Sequence, residues 1–290
     1  MSRSGLRISI AISIASFGLC CVPSRASDSL FQWRSGSDQG ETENKSPFDE
    51  PLDSDRPGLG DSPSTVGLGV CQLEMGYDYS YDHSRTSSQI DQTYPQPLLR
   101  IGAFADWFEL RVSWSEEQTT DTVFRVSRTT AVGSDDMNVG FKIALTSQDK
   151  WLPKTGFVFD MFLPTGSAAF TAGKVLPEVE YIYEWEVAKD FTFDGQTIFS
   201  CQVDDVTNES FLNTSEVVSV TEKLSEHLSA YVQWHMTTPD GAHSFRTQQV
   251  FEGGFIIPVT NKLQLDAESG VGLNEATPDY FVGAGLSVRH

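Results

Sequence analysis

From Cys71 to the C-terminus one pattern recurs: apolar and polar side chains alternate with a period of two, over stretches of about 9 to 11 residues. Cys71, Leu73, Met75, Tyr77, Tyr79 and Tyr81 alternate with Gln72, Glu74, Gly76, Asp78, Ser80 and Asp82, so in a pleated strand every large apolar group falls on one face. The same alternation returns at 99–103, 108–114, 139–145, 157–163, 179–187, 228–236, 263–273 and 280–288. No window carries the i, i+3, i+4, i+7 spacing of an amphipathic helix over several turns. Strands of soluble proteins average about 5 to 6 residues, whereas a tilted strand needs about 9 to 11 to cross a bilayer. The connections alternate as well. Tight turns near Asp106, Lys189-Asp190 and Thr260-Asn261 contrast with long polar stretches at 82–96, 116–136 and 237–247, which places short turns on one rim and long loops on the other.

The N-terminus supplies the compartment. Arg3 and Arg7 precede an apolar run at 8–22 and then Pro23-Ser24-Arg25-Ala26, the layout of a secretory signal peptide cut after Ala26. The run is too short for a spanning helix and is broken by Ser9, Ser13 and Ser16. A lipoprotein reading would acylate Cys20 or Cys21, but Leu19 and Cys20 stand where a small residue belongs. Residues 27–66 are rich in Gly, Ser, Pro and acids and read as a flexible acidic leader, with the barrel proper at 67–290.

An exported chain without a spanning helix enters hydrocarbon only as a closed sheet, because an open one leaves backbone N–H and C=O groups unpaired in lipid. The pattern therefore predicts an all-β fold, a closed antiparallel transmembrane β-barrel of about 12 strands, with Leu73, Tyr77, Leu110, Phe141, Trp185, Trp234, Leu265 and Val282 toward lipid. Twelve strands about 4.8 Å apart and tilted about 40° enclose a backbone cylinder roughly 24 Å across, leaving a lumen of roughly 10 Å.

Charge narrows the function. Forty acids face 20 bases, a net charge of −20 that falls by three to −23 once Arg3, Arg7 and Arg25 leave with the signal peptide. Such a surface repels nucleic acid. Cys71 and Cys201 sit in apolar strand patterns and read as small apolar residues; no spacing suggests a zinc site, and no cofactor is implied. The inward charges Glu74, Asp78, Arg100, Glu109, Arg111, Lys142, Glu184, Asp266 and Glu268 are candidates to line a polar path, or alternatively to form salt bridges that stiffen a narrow barrel. Asp55, Arg56 and Asp61 lie in a run that reads either as a latch reaching into the lumen or as a turn-rich entry to the first strand, given Pro57, Gly58, Gly60 and Pro63. Arg100 and Arg111 form a candidate positive stripe on adjacent strands. A hydrolase would draw on Asp82-His83, His235 or His243, but no Gly-x-Ser-x-Gly signature accompanies them, and the chain reads as a non-enzyme.

The run Asp55-Arg56-Pro57-Gly58-Leu59-Gly60-Asp61-Ser62-Pro63-Ser64-Thr65-Val66 followed by Gln72-Leu73-Glu74-Met75-Gly76-Tyr77 resembles the opening of the MetA-pathway of phenol degradation family. Arg100-Ile101-Gly102, Glu109-Leu110-Arg111-Val112, Leu163-Pro164-Thr165-Gly166, Leu263-Gln264-Leu265-Asp266 and the ending from Pro278 to Gly285 are similar to it too. The chain departs from such barrels at its last residue, His290, where an aromatic is usual. The resemblance implies an outer-membrane, porin-like transporter for passive uptake of small solutes, with aromatic compounds among the candidates. The partners it implies are membrane lipid, the solute and the outer-membrane insertion machinery. A structural or adhesive surface barrel without transport, or an outer-membrane hydrolase, are the alternatives.

Overall fold

The computed structural model describes residues 29–31, 48–49, 51–204 and 206–290. The signal peptide expected at 1–26, with Cys20 and Cys21, lies outside them, as do the stretches 27–28 and 32–47. No helix among the described residues is long and apolar enough to cross a membrane. The strands are β1 (Cys71–His83), β2 (Ser87–Thr93), β3 (Leu98–Gly102), β4 (Phe108–Ser113), β5 (Glu116–Val123), β6 (Ser127–Ser134), β7 (Met137–Thr146) and β8 (Lys154–Leu163), followed by β9 (Leu176–Ala188), β10 (Phe191–Val203), β11 (Ser210–Ser225), β12 (Leu228–Asp240), β13 (Gln248–Thr260), β14 (Leu263–Gly272) and β15 (Tyr280–Arg289).

Twelve of them, in the order β15 down to β7 and then β4, β3 and β1, form one antiparallel sheet that closes where β15 pairs with β1. The seam runs from Gln72 opposite Arg289 to Tyr81 opposite Tyr280, so every ladder group along it has a partner. This is the expected twelve-stranded barrel, and each expected strand has its counterpart. The stretches 82–96 and 116–136, read as long polar loops, instead hold β2, β5 and β6. Both β2 and β3 pair with β1, one above the other, and β5 pairs with β2. Pro95 and Pro97, which lack an N–H, separate β2 from β3, while Tyr94 N–H to Glu116 O (2.7 Å) and Trp114 N–H to Pro97 O (3.3 Å) carry the sheet across the break. These upper strands are Thr- and Ser-rich on both faces because they stand above the hydrocarbon, and so lack the one-sided pattern that reveals a membrane strand.

The barrel inverts the burial of a soluble protein. Glu74, Arg100, Glu109 and Lys142 are fully buried, whereas Val232, Phe251, Leu265 and Val282 are each 40% exposed or more. An apolar band of this kind is stable only against lipid. Aromatic groups mark its edges: Tyr79 and Tyr81 approach Tyr280 (6.4 and 5.6 Å between centroids) near the long-loop rim, and Trp185 packs on Phe193 (6.0 Å) near the short-turn rim. Cys71 and Cys201 are free thiols.

At the long-loop rim one carboxylate ties two loops together. The buried Asp204 accepts Val206 N–H (3.0 Å) and Thr207 N–H (3.0 Å) on Oδ1, and His243 N–H (2.6 Å) and Ser244 N–H (2.8 Å) on Oδ2. The donated bonds, Ser244 N–H foremost, outweigh burial and hold the Asp204 carboxyl well below the usual carboxylate range. A lowered pKa stabilises the locked loops fully above the ordinary carboxylate value, and that contribution is lost only as pH falls below it. Asp204→Ala is therefore expected to speed trypsin cleavage after the exposed Arg246 by about tenfold at neutral pH, and the wild-type loops to stay resistant at pH 5.

Candidate functional site

The lumen is occupied by the chain's own residues 51–66. The sequence grouped them into a flexible leader spanning 27–66, but Leu52, Asp55 and Val66 are buried, and the segment is held to the wall by ion pairs and backbone bonds. What composition alone does not reveal is that its polar atoms find partners inside the barrel. Residues 51–66 thus lie in the lumen and bond to its wall as well as leading into β1.

Its anchor is Asp55. Lys142 Nζ donates to both carboxylate oxygens (2.6 and 2.7 Å), Arg111 Nη1 donates to Oδ2 (2.5 Å), and Arg100 Nη1 lies 3.3 Å from the same oxygen. The three cations come from adjacent strands β3, β4 and β7, whose register places Arg100 opposite Arg111. Burial alone would push the Asp55 carboxyl up; Arg100, Lys142 and Arg111 outweigh it and hold the group well below the usual carboxylate range. Arg100 also forks onto Glu109 (Nε to Oε1 2.8 Å, Nη2 to Oε2 3.0 Å) and donates to Glu74 (3.0 Å). Asp61 Oδ2 completes the group, 2.9 Å from Arg111 Nη2. The backbone joins in: Lys142 donates to Ser62 O (2.8 Å), Arg100 to Ser64 O (3.0 Å), and Val66 N–H to Glu109 Oε2 (2.9 Å). Thus Arg100 and Arg111 are neutralised where they stand, and the positive stripe expected from sequence is taken up by the chain's own acids.

Arg56 reaches the other way, toward the closing seam. Gly76 of β1 and Gly285 of β15 face each other across it, and a methyl group on either would lie 2.3 Å from the Arg56 guanidinium. The missing side chains are the slot in which that guanidinium rests. Arg56 Nη1 donates to Gln96 Oε1 (2.9 Å) and Nη2 to Asp266 Oδ1 (3.4 Å), with Glu268 Oε1 at 3.8 Å. Gly58 N–H donates to Glu268 Oε2 (2.6 Å), and Asp61 N–H to Gln196 Oε1 (2.7 Å).

Two cavities flank this crossing. One, of about 260 Å³, lies toward the short-turn rim between residues 51–56 and Lys223, Ser225, Ile256 and Gln264. The other, of about 290 Å³, lies toward the long-loop rim between Gly58-Leu59 and Asp78, Asp91, His235, Glu252, Glu268 and Phe281. All nine candidate lining charges thus sit on the inner face, in three groups: Glu74, Arg100, Glu109, Arg111 and Lys142 around Asp55; Asp78, Asp266 and Glu268 around Arg56; and Glu184, 3.9 Å from Lys154 Nζ. The sequence did not single out Asp160, Gln96, Gln233 or Glu252, because polar residues at alternate positions look alike until register is known. Asp160, Glu178 and Glu180 bring carboxylate oxygens within 4.8 Å of one another, an all-oxygen set of the kind hard cations use rather than zinc.

Solved structures carry this architecture. An outer membrane channel from Pseudomonas putida F1 aligns over 81% of this chain and 99% of its own, with a TM-score of 0.65 and 14% identity, a likeness of fold. The NanC porin (TM-score 0.46, 11% identity, 75% of this chain and 98% of its own) and the translocator domain of the autotransporter NalP from Neisseria meningitidis (0.49, 11%, 77% and 89%) are also similar. A comparison with curated proteins finds no significant match. The family model described as MetA-pathway of phenol degradation matches residues 54–290, from the lumen segment to the last residue, and the chain belongs to that family.

Proposed function

We propose that the protein is a passive outer-membrane channel for small solutes, with a path that runs beside the lumen segment through the two cavities and past Arg56. The observation that carries this reading is the pair of cavities, about 290 and 260 Å³, beside the lumen segment, the smaller lined by Arg56 in its glycine slot. The path is acid-lined: Asp78, Glu252, Asp266 and Glu268 face it, against Arg56 as the facing cation. A low-dielectric tunnel with such walls favours cations and neutral molecules over anions. The family's description supports single-ring aromatic compounds as the cargo class. Closure of β15 on β1 supports recognition of the C-terminal strand by the insertion machinery, and export supports a cleaved signal peptide at 1–26.

The hydrolase alternative has little to rest on. Among the described residues, His83 stacks on Tyr81, His235 leaves Nδ1 without a partner, and His243 contributes its backbone N–H to Asp204, so none is bonded to a serine hydroxyl. An adhesive barrel would need no through-path. Planar-bilayer recording separates the readings: we expect discrete single-channel steps and a cation-selective reversal potential under a salt gradient. Silence would support the structural barrel, and anion selectivity would overturn the acid-lined path.

A further inference from the structure

The geometry points to the outer cavity as a binding site for a small organic ammonium carrying a flat apolar or aromatic body, an inference that rests on the channel reading and names its solute class. The wall there draws inward residues from six consecutive strands of the sheet, among them His235 on β12, Glu252 on β13, Glu268 on β14, Phe281 on β15, Asp78 on β1 and Asp91 on β2. The floor is Leu59 of the lumen segment. At about 290 Å³ the space is at the small end of ligand pockets, the size for a single ring with a short arm.

Its polar atoms ask for donors. Asp78 Oδ2 accepts from Gln96 Nε2 (2.5 Å), but Asp78 Oδ1 is buried and has no partner. That oxygen and Glu268 Oε1 lean together over Gly283, where a methyl group would lie 2.2 and 2.6 Å from them. The cation nearest Glu268 Oε1 is Arg56, at 3.8 Å and already committed to Gln96 and Asp266. His235 Nδ1, also buried, is a further polar atom without a partner. An ammonium brings three donors and the missing positive charge to this set, whereas an anion would meet four carboxylates.

The rest of the wall selects for the body of the ligand. Leu59 stays 42% exposed inside the barrel, an apolar group left without cover. The edge of the Phe281 ring lies over Gly270, where an added methyl would meet it at 2.3 Å, and the ring lines the cavity. A bare metal cation would leave both surfaces wet; a ring buries them.

The test is calorimetric titration of the detergent-purified full chain with 2-phenylethylammonium, phenylacetate and ethylammonium, alongside single-channel recording with each. The aromatic cation is expected to bind at least about tenfold tighter than either its anionic counterpart or the truncated cation, and to block the open-channel current. Asp78→Asn should weaken it about tenfold. Leu59→Ser, at a tip that no strand depends on, should weaken it severalfold, which guards against misfolding of the first variant. Equal binding of phenylacetate, or affinity untouched by both variants, overturns the site. A protein that conducts without binding the aromatic cation loses this inference and keeps the channel; one that binds without conducting keeps the site and loses the channel.

Discussion

Replacing residues 51–66 by a Gly-Ser linker of equal length is expected to raise single-channel conductance severalfold, because it frees a lumen of roughly 10 Å from the docked segment that fills much of its cross-section. The barrel should survive the change. Its closure depends on the β1–β15 ladder and on an apolar band turned to lipid, neither of which uses the segment. The inner wall loses partners, because Arg100, Arg111 and Lys142 would face water, but Glu74 and Glu109 remain beside Arg100 and solvation replaces the rest. Retained resistance to heat unfolding in detergent, together with larger current steps, is the expected pair of readouts. Unchanged conductance would mean that the path does not run past the segment.

The second large effect belongs to Asp55→Ala. Removing one carboxylate leaves three buried cations short of their shared partner, and breaking a buried ion pair from one side costs about 3 to 5 kcal/mol. The docked segment should release, exposing the Gly58–Leu59 bond to thermolysin and raising conductance toward that of the linker variant. Asp61→Asn should cost less, because Asp61 is partly exposed and Arg111 and Lys142 keep Asp55. With a lowered pKa, Asp55 contributes its full share above the ordinary carboxylate range, and the contribution disappears only as pH falls below it. Wild-type conductance should therefore be flat from pH 7 to about pH 5 as far as this latch is concerned. A rise in current within that window would place the latch on other groups.

The barrel was legible in the sequence because lipid acts on every second residue: the alternation from Cys71 to Tyr81 or from Leu263 to Leu273 is the direct imprint of a one-sided apolar environment. β2, β5 and β6 were not legible, since Ser87–Thr93 and Ser127–Ser134 meet water on both faces and show neither period nor hydrophobicity. The candidate site was half legible. Asp55, Arg56 and Asp61 stood out as charges in a turn-rich run, and the inward charges followed from parity alone. Their grouping was not available, because it depends on which residues of distant strands share a height. Asp55 meets Lys142 across 87 residues of chain and Arg56 meets Asp266 across 210. The last part of the expected leader, 51–66, is docked for a related reason: a polar, glycine-rich stretch is loose in water, yet inside a polar barrel it finds a donor or acceptor at nearly every step.

The glycine pair that receives Arg56 has a consequence for the order of assembly. Gly76 belongs to the first strand made and Gly285 to the last, while Gln96 and Asp266 come from either side of the same seam. Gly76 and Gln96 meet on one side and Asp266 and Gly285 on the other, but the two halves of the slot come together only when the sheet has curled through all twelve strands and zipped shut. Asp55 finds its cations once β7 is in place, but Arg56, made ahead of every strand, has no berth until the final strand is home. The seating of that guanidinium is the molecule's own inspection of a finished cylinder, and a barrel that stalls one strand short would leave it half-housed, with Gly76 and Gln96 but without Gly285.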